Sequence, residues 1–193
     1  MSLPTRAAAT RKATLHRCAV RCVGAWEAFY RNRHRLEPVG PLFLLGSSAH
    51  EGAPRHFADG SVLQTGERYG VLHFNNARLA ELGAGAGRVP TAWEFTRLLR
   101  SSLVALAEFA ASADGTQLSA YQGTTWMQPH GLKVGFETEA LPPGWRTAWL
   151  RCHFRVLQLC FSPVSFRRHS SPPEPRVFWI TRTALRQHFA GER

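Results

Sequence analysis

The chain has 193 residues, 44% of them hydrophobic, and a formal net charge of +11. This length fits one domain, and the apolar share is large enough to form a core, which excludes global disorder. Because Lys12 and Lys133 are the only lysines, arginine carries nearly all of the positive charge. Such a balance suits phosphate or anionic-lipid surfaces, although solvated arginines with no partner explain it equally well.

Cysteine usage and the lack of a long apolar run limit where the protein works. Cys18 and Cys22 lie one helical turn apart, so they share a helix face that we expect in the core, and their CxxxC spacing is not that of a zinc knuckle. We therefore predict reduced cysteines and no metal or cofactor. No apolar run approaches the roughly 18 residues of a membrane span, and no secretory signal is visible. We therefore expect a cytoplasmic protein, with a flexible basic tail at 1–13 and one domain at 14–193.

The first half of the chain predicts one long helix followed by short strands. Apolar residues recur every three or four positions from Thr14 to Tyr30, which is typical of an amphipathic helix, and the prolines that follow stop it. Three strands are predicted next, at Leu42–Leu45, His56–Ala58 and Tyr69–Phe74.

The second half predicts two more long helices and a short one. Thr91 and Glu94 form a capping box that begins a helix at Thr91–Ala113. Further elements follow in order: strands Gln117–Trp126 and Leu132–Thr138 around the loop Met127–Gly131, helix Trp145–Phe161, strand Arg176–Ile180, and a short helix capped by Thr181. The pattern predicts an α+β single domain, in which a small mixed or antiparallel sheet packs against three longer helices and a short C-terminal helix.

Several landmarks resemble one protein family. They are Gly66–Asn76 (GERYGVLHFNN), Gly123–Trp126 followed by Val134–Glu137, and Trp179–Arg182 with Leu185. In this order they resemble the YkoP-like domain, which is found alone in bacteria or fused to polysaccharide deacetylases. The fusion partners imply a cell-envelope lipid or glycan setting. Val71 stands where the family usually has an acidic residue, so carboxylate chemistry at that position is in doubt.

The strand that ends in His73 provides the first candidate site. Alternation places Val71, His73 and Asn75 on one face, while Leu72 and Phe74 face the core. His73 is a candidate general base or ligand-binding residue, and the alternative is a structural histidine bonded to a loop carbonyl. Asn75 and Asn76 are further candidate ligand-binding residues, and Asn76 also fits a cap on the following turn.

Two more sets of residues are open to functional or structural interpretation. A polar set comprises Thr124, Thr125, His130 and Glu137; a hairpin would bring Thr125 near Glu137, and ordinary hairpin polarity is the alternative. The second set is Trp145 and Trp149 among arginines. An interfacial helix uses such residues, but we favour core packing covered by arginine stems.

These residues lead to three functional hypotheses. The leading one is a binding module whose pocket lies between the His73 strand and Thr124–Glu137, and which takes an anionic envelope lipid or glycan precursor. This module would act in the cytoplasm, with peripheral contact to the inner membrane face. The rival is a small hydrolase or transferase with His73 as general base, so enzymatic activity stays undecided. Nucleic-acid binding is third, because no helix-turn-helix, RNP or zinc-finger pattern is present.

Overall fold

A mixed six-stranded sheet forms the centre of the fold. The structure is a computed structural model that describes residues 21–76, 78, 92–125, 135–161 and 174–191. The strands of this sheet are β1 Glu37–Val39, β2 Phe43–Ala49, β5 Arg68–Phe74, β6 Ala120–Thr125, β7 Glu137–Ala140 and β8 Arg176–Thr181, and their order across the sheet is β1-β2-β5-β6-β8-β7. β5 and β6 are parallel, and the other neighbouring pairs are antiparallel. A separate two-stranded sheet pairs β3 Arg55–His56 with β4 Val62–Leu63.

The helices match the predicted set in part. The described part of α1 covers residues 21–34 and so continues past the predicted end at Tyr30. The others are α2 Ala92–Ala111, α3 Trp145–Phe161 and α4 Arg182–Phe189, with a 3₁₀ turn at Gly115–Gln117. The limits of α3 are those predicted, and the α+β class with a mixed sheet is confirmed. The capping residue Thr91 and the predicted first turns of α1 lie outside the described residues.

One face of the sheet, here called the core face, packs against α2 and α4. Alternation along the strands directs apolar side chains to this face, where they form the larger core: Val39, Leu42, Phe43, Leu45, Leu103, Leu106, Ala107, Ala110, Leu118, Tyr121, Ile180, Ala184, Leu185 and Phe189. Gly70 is required there, because a Cβ at this position would overlap the Tyr121 ring. The Oγ atom of buried Ser102 accepts a 2.9 Å hydrogen bond from the Leu42 amide and so joins α2 to the entrance of β2.

The opposite face, here called the α1 face, is covered less completely by apolar side chains. A smaller apolar cluster lies towards the β8 side, where Phe57 and Leu63 of the β3–β4 region pack on Ala120, Val177 and Trp179. α1 covers the β2–β5 side, because Leu36 at its end lies against Gly46 and Tyr30 contacts the His73 ring. The middle of this face carries polar side chains.

The structure corrects two expectations from the sequence and adds one strand to the six-stranded sheet. β6 and β7 do not pair as a hairpin, because β8 lies between them in the sheet. β1, which was not predicted, contains Pro38; a proline is tolerated there because β1 is an edge strand. Cys22, expected in the core, is an exposed free thiol, as is Cys152.

Within the described residues, no helix is both long and apolar enough to cross a membrane.

Candidate functional site

His73 lies half-buried on the α1 face, near the end of β5. It pairs in register with Leu44 of β2, and its ring meets the Tyr30 ring edge-on at a centroid distance of 4.9 Å. The Tyr30 ring also lies 4.1 Å from the ring of His34, one turn later on α1. Three rings therefore connect the end of α1 to the centre of the sheet.

This environment keeps the His73 imidazole uncharged. Burial, together with a smaller electrostatic effect from His34, lowers the pKa of His73 from 6.5 to about 4. Among the described residues, the His73 ring forms no hydrogen bond and has no carboxylate partner. At pH 7 the uncharged ring can therefore donate one hydrogen bond and accept another, and no carboxylate among the described residues fixes its orientation.

Two polar side chains of β6 lie beside His73. Val71 of β5 pairs in register with Gln122 of the parallel strand β6. Two residues further along both strands, on the same face of the sheet, His73 is therefore level with Thr124. Gln122 and Thr124 are both half-buried, and neither forms a hydrogen bond to a described residue. We call His73, Gln122 and Thr124 the polar strip. The sequence reading missed Gln122, although the alternation Ala120, Gln122, Thr124 within the predicted strand was available to identify it.

Asn75 and Asn76 stabilise the exit of β5. The Oδ1 atom of Asn75 accepts a 3.0 Å hydrogen bond from the backbone amide of Arg78. The backbone amide of Asn75 donates to the Leu42 carbonyl at 2.8 Å. Thus Asn75 fills the capping position that the sequence suggested for Asn76. The side-chain amide of Asn76 donates instead to the Glu27 carboxylate on α1. Asn75 therefore fixes the exit of β5, and Asn76 joins that exit to α1.

Two further predicted residues, Thr125 and Glu137, do not join His73. Glu137 is level with Trp179 on the β7–β8 pair, so two strands separate it from β5. Thr125 follows Thr124 and, by alternation, lies on the core face, where it has other interactions. His130 lies outside the described residues. The expected convergence of His73 with Glu137 is therefore absent from the described structure.

Glu137 belongs to a separate charged cluster around Arg55. Its Oε1 accepts a 2.6 Å hydrogen bond from the Ala58 amide, and its Oε2 lies 3.8 Å from Arg55 Nη2. Arg55 also pairs with Glu139 at 2.6 Å and stacks over the Trp179 ring at 4.9 Å. These contacts attach the small β3–β4 sheet to β7 and β8, so the cluster is structural.

The tryptophans of α3 are not packed in the core as expected. Trp145 is 76% exposed and Trp149 is 49% exposed, and Trp149 contacts Trp26 of α1 instead of the sheet core. Among the described side chains of α3, the buried apolar ones are instead Phe154 and Leu157, which the sequence did not single out.

Within the described residues, no group of three or more His, Cys, Asp or Glu side chains is placed to hold a metal ion.

Comparisons with known proteins identify the family. No curated protein and no solved structure gives a significant match to the chain. The sequence profile of the YkoP domain matches residues 16–189, which is most of the chain. The resemblance of the segments around His73 and Trp179 to this family is thus confirmed. The chain belongs to the YkoP domain family.

Proposed function

We propose that this protein is a ligand-binding module that takes a cell-envelope lipid or glycan precursor at the polar strip. The observation that carries the proposal is the half-buried set His73, Gln122 and Thr124, whose side chains form no hydrogen bonds among the described residues. Polar groups left half-buried without partners tend to hydrogen-bond a ligand or water, because leaving them unpaired is costly.

The chemistry of the strip suits a hydroxyl-bearing ligand. Gln122 and Thr124 supply an amide and a hydroxyl, and neutral His73 supplies one donor and one acceptor. Leu44 and Val71 lie beside them on the same face as apolar floor, while Tyr30 adds an aromatic wall. A few polar groups on an apolar floor are typical of small-molecule sites.

Arginines at the end of α1 account for the anionic part of the ligand. Arg31, Arg33 and Arg35 are exposed within the turn that also carries Tyr30 and His34. Guanidinium groups bind phosphate through paired N–H donors and remain charged at any physiological pH. A phosphorylated precursor could thus place its sugar or head group over the strip and its phosphate near these arginines. We propose that the protein meets such a ligand at the cytoplasmic side of the membrane.

The enzymatic alternative has less support from the geometry. A general base works best when its pKa lies near the working pH, whereas burial lowers the pKa of His73 to about 4. The neighbouring position on the same face is Val71, which offers no carboxylate to orient or activate the ring. Binding is therefore the function that we favour for this site.

Native mass spectrometry of the protein purified from its own host tests the proposal. We expect the wild-type protein to retain a lipid or glycan adduct, identified by fragmentation, and Thr124→Val to lose most of it. Thr138→Val is the matched control, because Thr138 is exposed on edge strand β7 and, by register with Phe178, lies on the core face. Wild-type protein without an adduct, or equal retention by both variants, would contradict the proposal.

A further inference from the structure

The outer surface of α1 and α3 exposes large aromatic side chains. Trp26 and Phe29 of α1 are 44% and 58% exposed, and on α3 Trp149 is 49% exposed with Trp145 one turn before it. Aromatic residues of this size are normally buried, because each contributes a large apolar area to a core. An exposed group of them indicates an interaction surface.

These side chains form one continuous group across the two helices. The Trp26 ring lies 6.2 Å from Trp149 and 6.0 Å from Phe29, measured between ring centroids. Trp145 extends the group along α3, since residues four apart share a helix face. We call Trp26, Phe29, Trp145 and Trp149 the aromatic patch.

Positive charge surrounds the aromatic patch with almost no acid to offset it. Residues 21–35 and 145–157 contain a single acidic side chain, Glu27, which is half-buried and hydrogen-bonded by Asn76. The arginines of the same two segments are all exposed: Arg21, Arg31, Arg33, Arg35, Arg146, Arg151 and Arg155. A surface of this composition suits a partner that is anionic and that also accepts apolar rings.

We propose that the α1–α3 layer docks on the surface of an anionic lipid bilayer, with the aromatic patch at the level of the head groups. Indole rings favour this region because one edge is apolar and the other donates a hydrogen bond, and arginines attract acidic lipids there. The proposal goes beyond the ligand site, since docking needs no ligand at the polar strip. Because α1 covers His73, docking would also bring that strip close to the bilayer.

The arrangement of the rings favours a bilayer over a nucleic acid. Proteins that bind single strands present open aromatic faces on which bases stack. One face of Trp149 is instead occupied by His153, which stacks on it at an interplanar angle of 7° and a centroid distance of 5.2 Å. Trp26 in turn packs against Trp149 and Phe29, so the patch offers ring edges and apolar surface.

Binding to lipid vesicles provides the test. The full chain is sedimented with phosphatidylglycerol–phosphatidylcholine vesicles and with pure phosphatidylcholine vesicles, and tryptophan quenching by brominated acyl chains reports ring insertion. We expect at least tenfold tighter binding to the anionic vesicles, weakening with salt. The double variant Trp26→Ala/Trp149→Ala should bind at least tenfold more weakly and lose most of the quenching.

Trp93→Ala is the matched control for the double variant. Trp93 is 69% exposed and stands on α2, which packs on the opposite face of the sheet, so its loss should leave binding unchanged. Circular dichroism and thermal melting establish that each variant is folded. If the double variant does not fold, Phe29→Ser and Arg151→Gln/Arg155→Gln replace it, because these side chains are exposed.

Three results would overturn the proposal. The first is equal binding to neutral and anionic vesicles, or binding to neither. The second is a loss caused by Trp93→Ala that equals the loss caused by the patch variants. The third is binding of a labelled single-stranded RNA that is tighter than vesicle binding and depends on the same aromatic residues, which would assign the layer to nucleic acid.

Discussion

At the scale of single residues, the ring contacts of His73 determine what it can do. Tyr30 lies between His34 and His73, and burial raises the pKa of the Tyr30 hydroxyl, so it stays protonated. A neutral phenol and a neutral imidazole can exchange hydrogen bonds with a ligand but supply no charge. The attraction for an anion must come from the arginines of α1, such as Arg31 and Arg33.

The lowered pKa of His73 predicts a loss of stability in mild acid. The unfolded chain takes up this proton near pH 6.5, whereas the folded protein resists it until about pH 4. Stability is therefore full above pH 6.5 and falls as the pH drops through this window, by on the order of 3 kcal/mol at most. His73→Leu should flatten the dependence, as measured by urea unfolding at pH 7.5, 5.5 and 4.5.

His153 should also contribute to the pH dependence of stability, and exposed His56 provides the control. Burial also lowers the pKa of His153, so some acid sensitivity should remain in His73→Leu. His56→Leu is the control, because His56 is exposed on β3 and should keep the wild-type dependence. An unchanged slope in His73→Leu would mean that His73 is not held neutral by the fold.

At the scale of elements, the end of α1 carries conformational strain. Arg35 has a φ of 50°, the left-handed conformation in which glycine usually ends helices. The Leu36 amide donates to the Arg31 carbonyl at 3.0 Å across this residue, which is the hydrogen bond expected of a Schellman ending. The strain lies where α1 ends, directly before Leu36 packs against Gly46 of β2.

Replacing Arg35 by glycine should stabilise the protein. The left-handed conformation costs a residue with a Cβ about 1–2 kcal/mol, so we expect Arg35→Gly to raise the free energy of unfolding by about 1 kcal/mol. Arg33→Gly removes the same side chain from the helix itself and should lower stability by about 1 kcal/mol. Urea denaturation of the two variants measures the difference, and equal effects would disprove the account of this turn.

Thr181 joins β8 to α4 through two hydrogen bonds. Its Oγ1 accepts from the Ala184 amide at 3.0 Å, which caps the helix, and its hydroxyl donates to Asp59. Burial raises the pKa of Asp59, but hydrogen bonds from Thr181 and Ser61 outweigh this effect, and the pKa falls below its usual value. The Thr181 hydroxyl therefore both caps α4 and helps to lower the pKa of Asp59.

Loss of the Thr181 hydroxyl should destabilise the protein measurably. We expect Thr181→Ala to lower the free energy of unfolding by about 1–2 kcal/mol, because the cap is lost and the part-buried hydrogen bond to Asp59 goes with it. Thr183→Ala, at an exposed position of α4, should change it by less than about 0.5 kcal/mol. Guanidinium unfolding followed by circular dichroism compares the two, and similar losses would argue against the cap.

The sequence predicted local features well and long-range pairings poorly. The limits of α3 and the Thr181 cap follow from signals within a few residues. These signals are the sequence Pro142-Pro143-Gly144 just before Trp145 and the hydroxyl three residues before the Ala184 amide. The placement of β8 between β6 and β7 depends on pairing between distant segments, which periodicity does not encode. For this reason Glu137 was expected near His73.

At the scale of the whole molecule, the two faces of the sheet have different tasks. The core face is closed by α2 and α4 around Leu42, Leu106 and Leu185, none of which has solvent exposure. The α1 face keeps a polar strip in its middle and exposes aromatic rings on its outer helices. Periodicity alone could not separate these two roles, because the apolar stripe of a helix looks the same whether it meets a core or a partner.

The most direct test of the ligand site is the imidazole signal of His73 during a ligand titration. Long-range ¹H–¹⁵N correlation spectra at pH 7 would follow its ring nitrogens as a polyprenyl phosphate is added in neutral detergent micelles. The polar-strip assignment predicts a neutral ring whose nitrogen shifts move saturably with the added probe. A ring that is half-protonated near pH 6.5, or nitrogen shifts that stay fixed while the indole signals of Trp26 and Trp149 move, would contradict it.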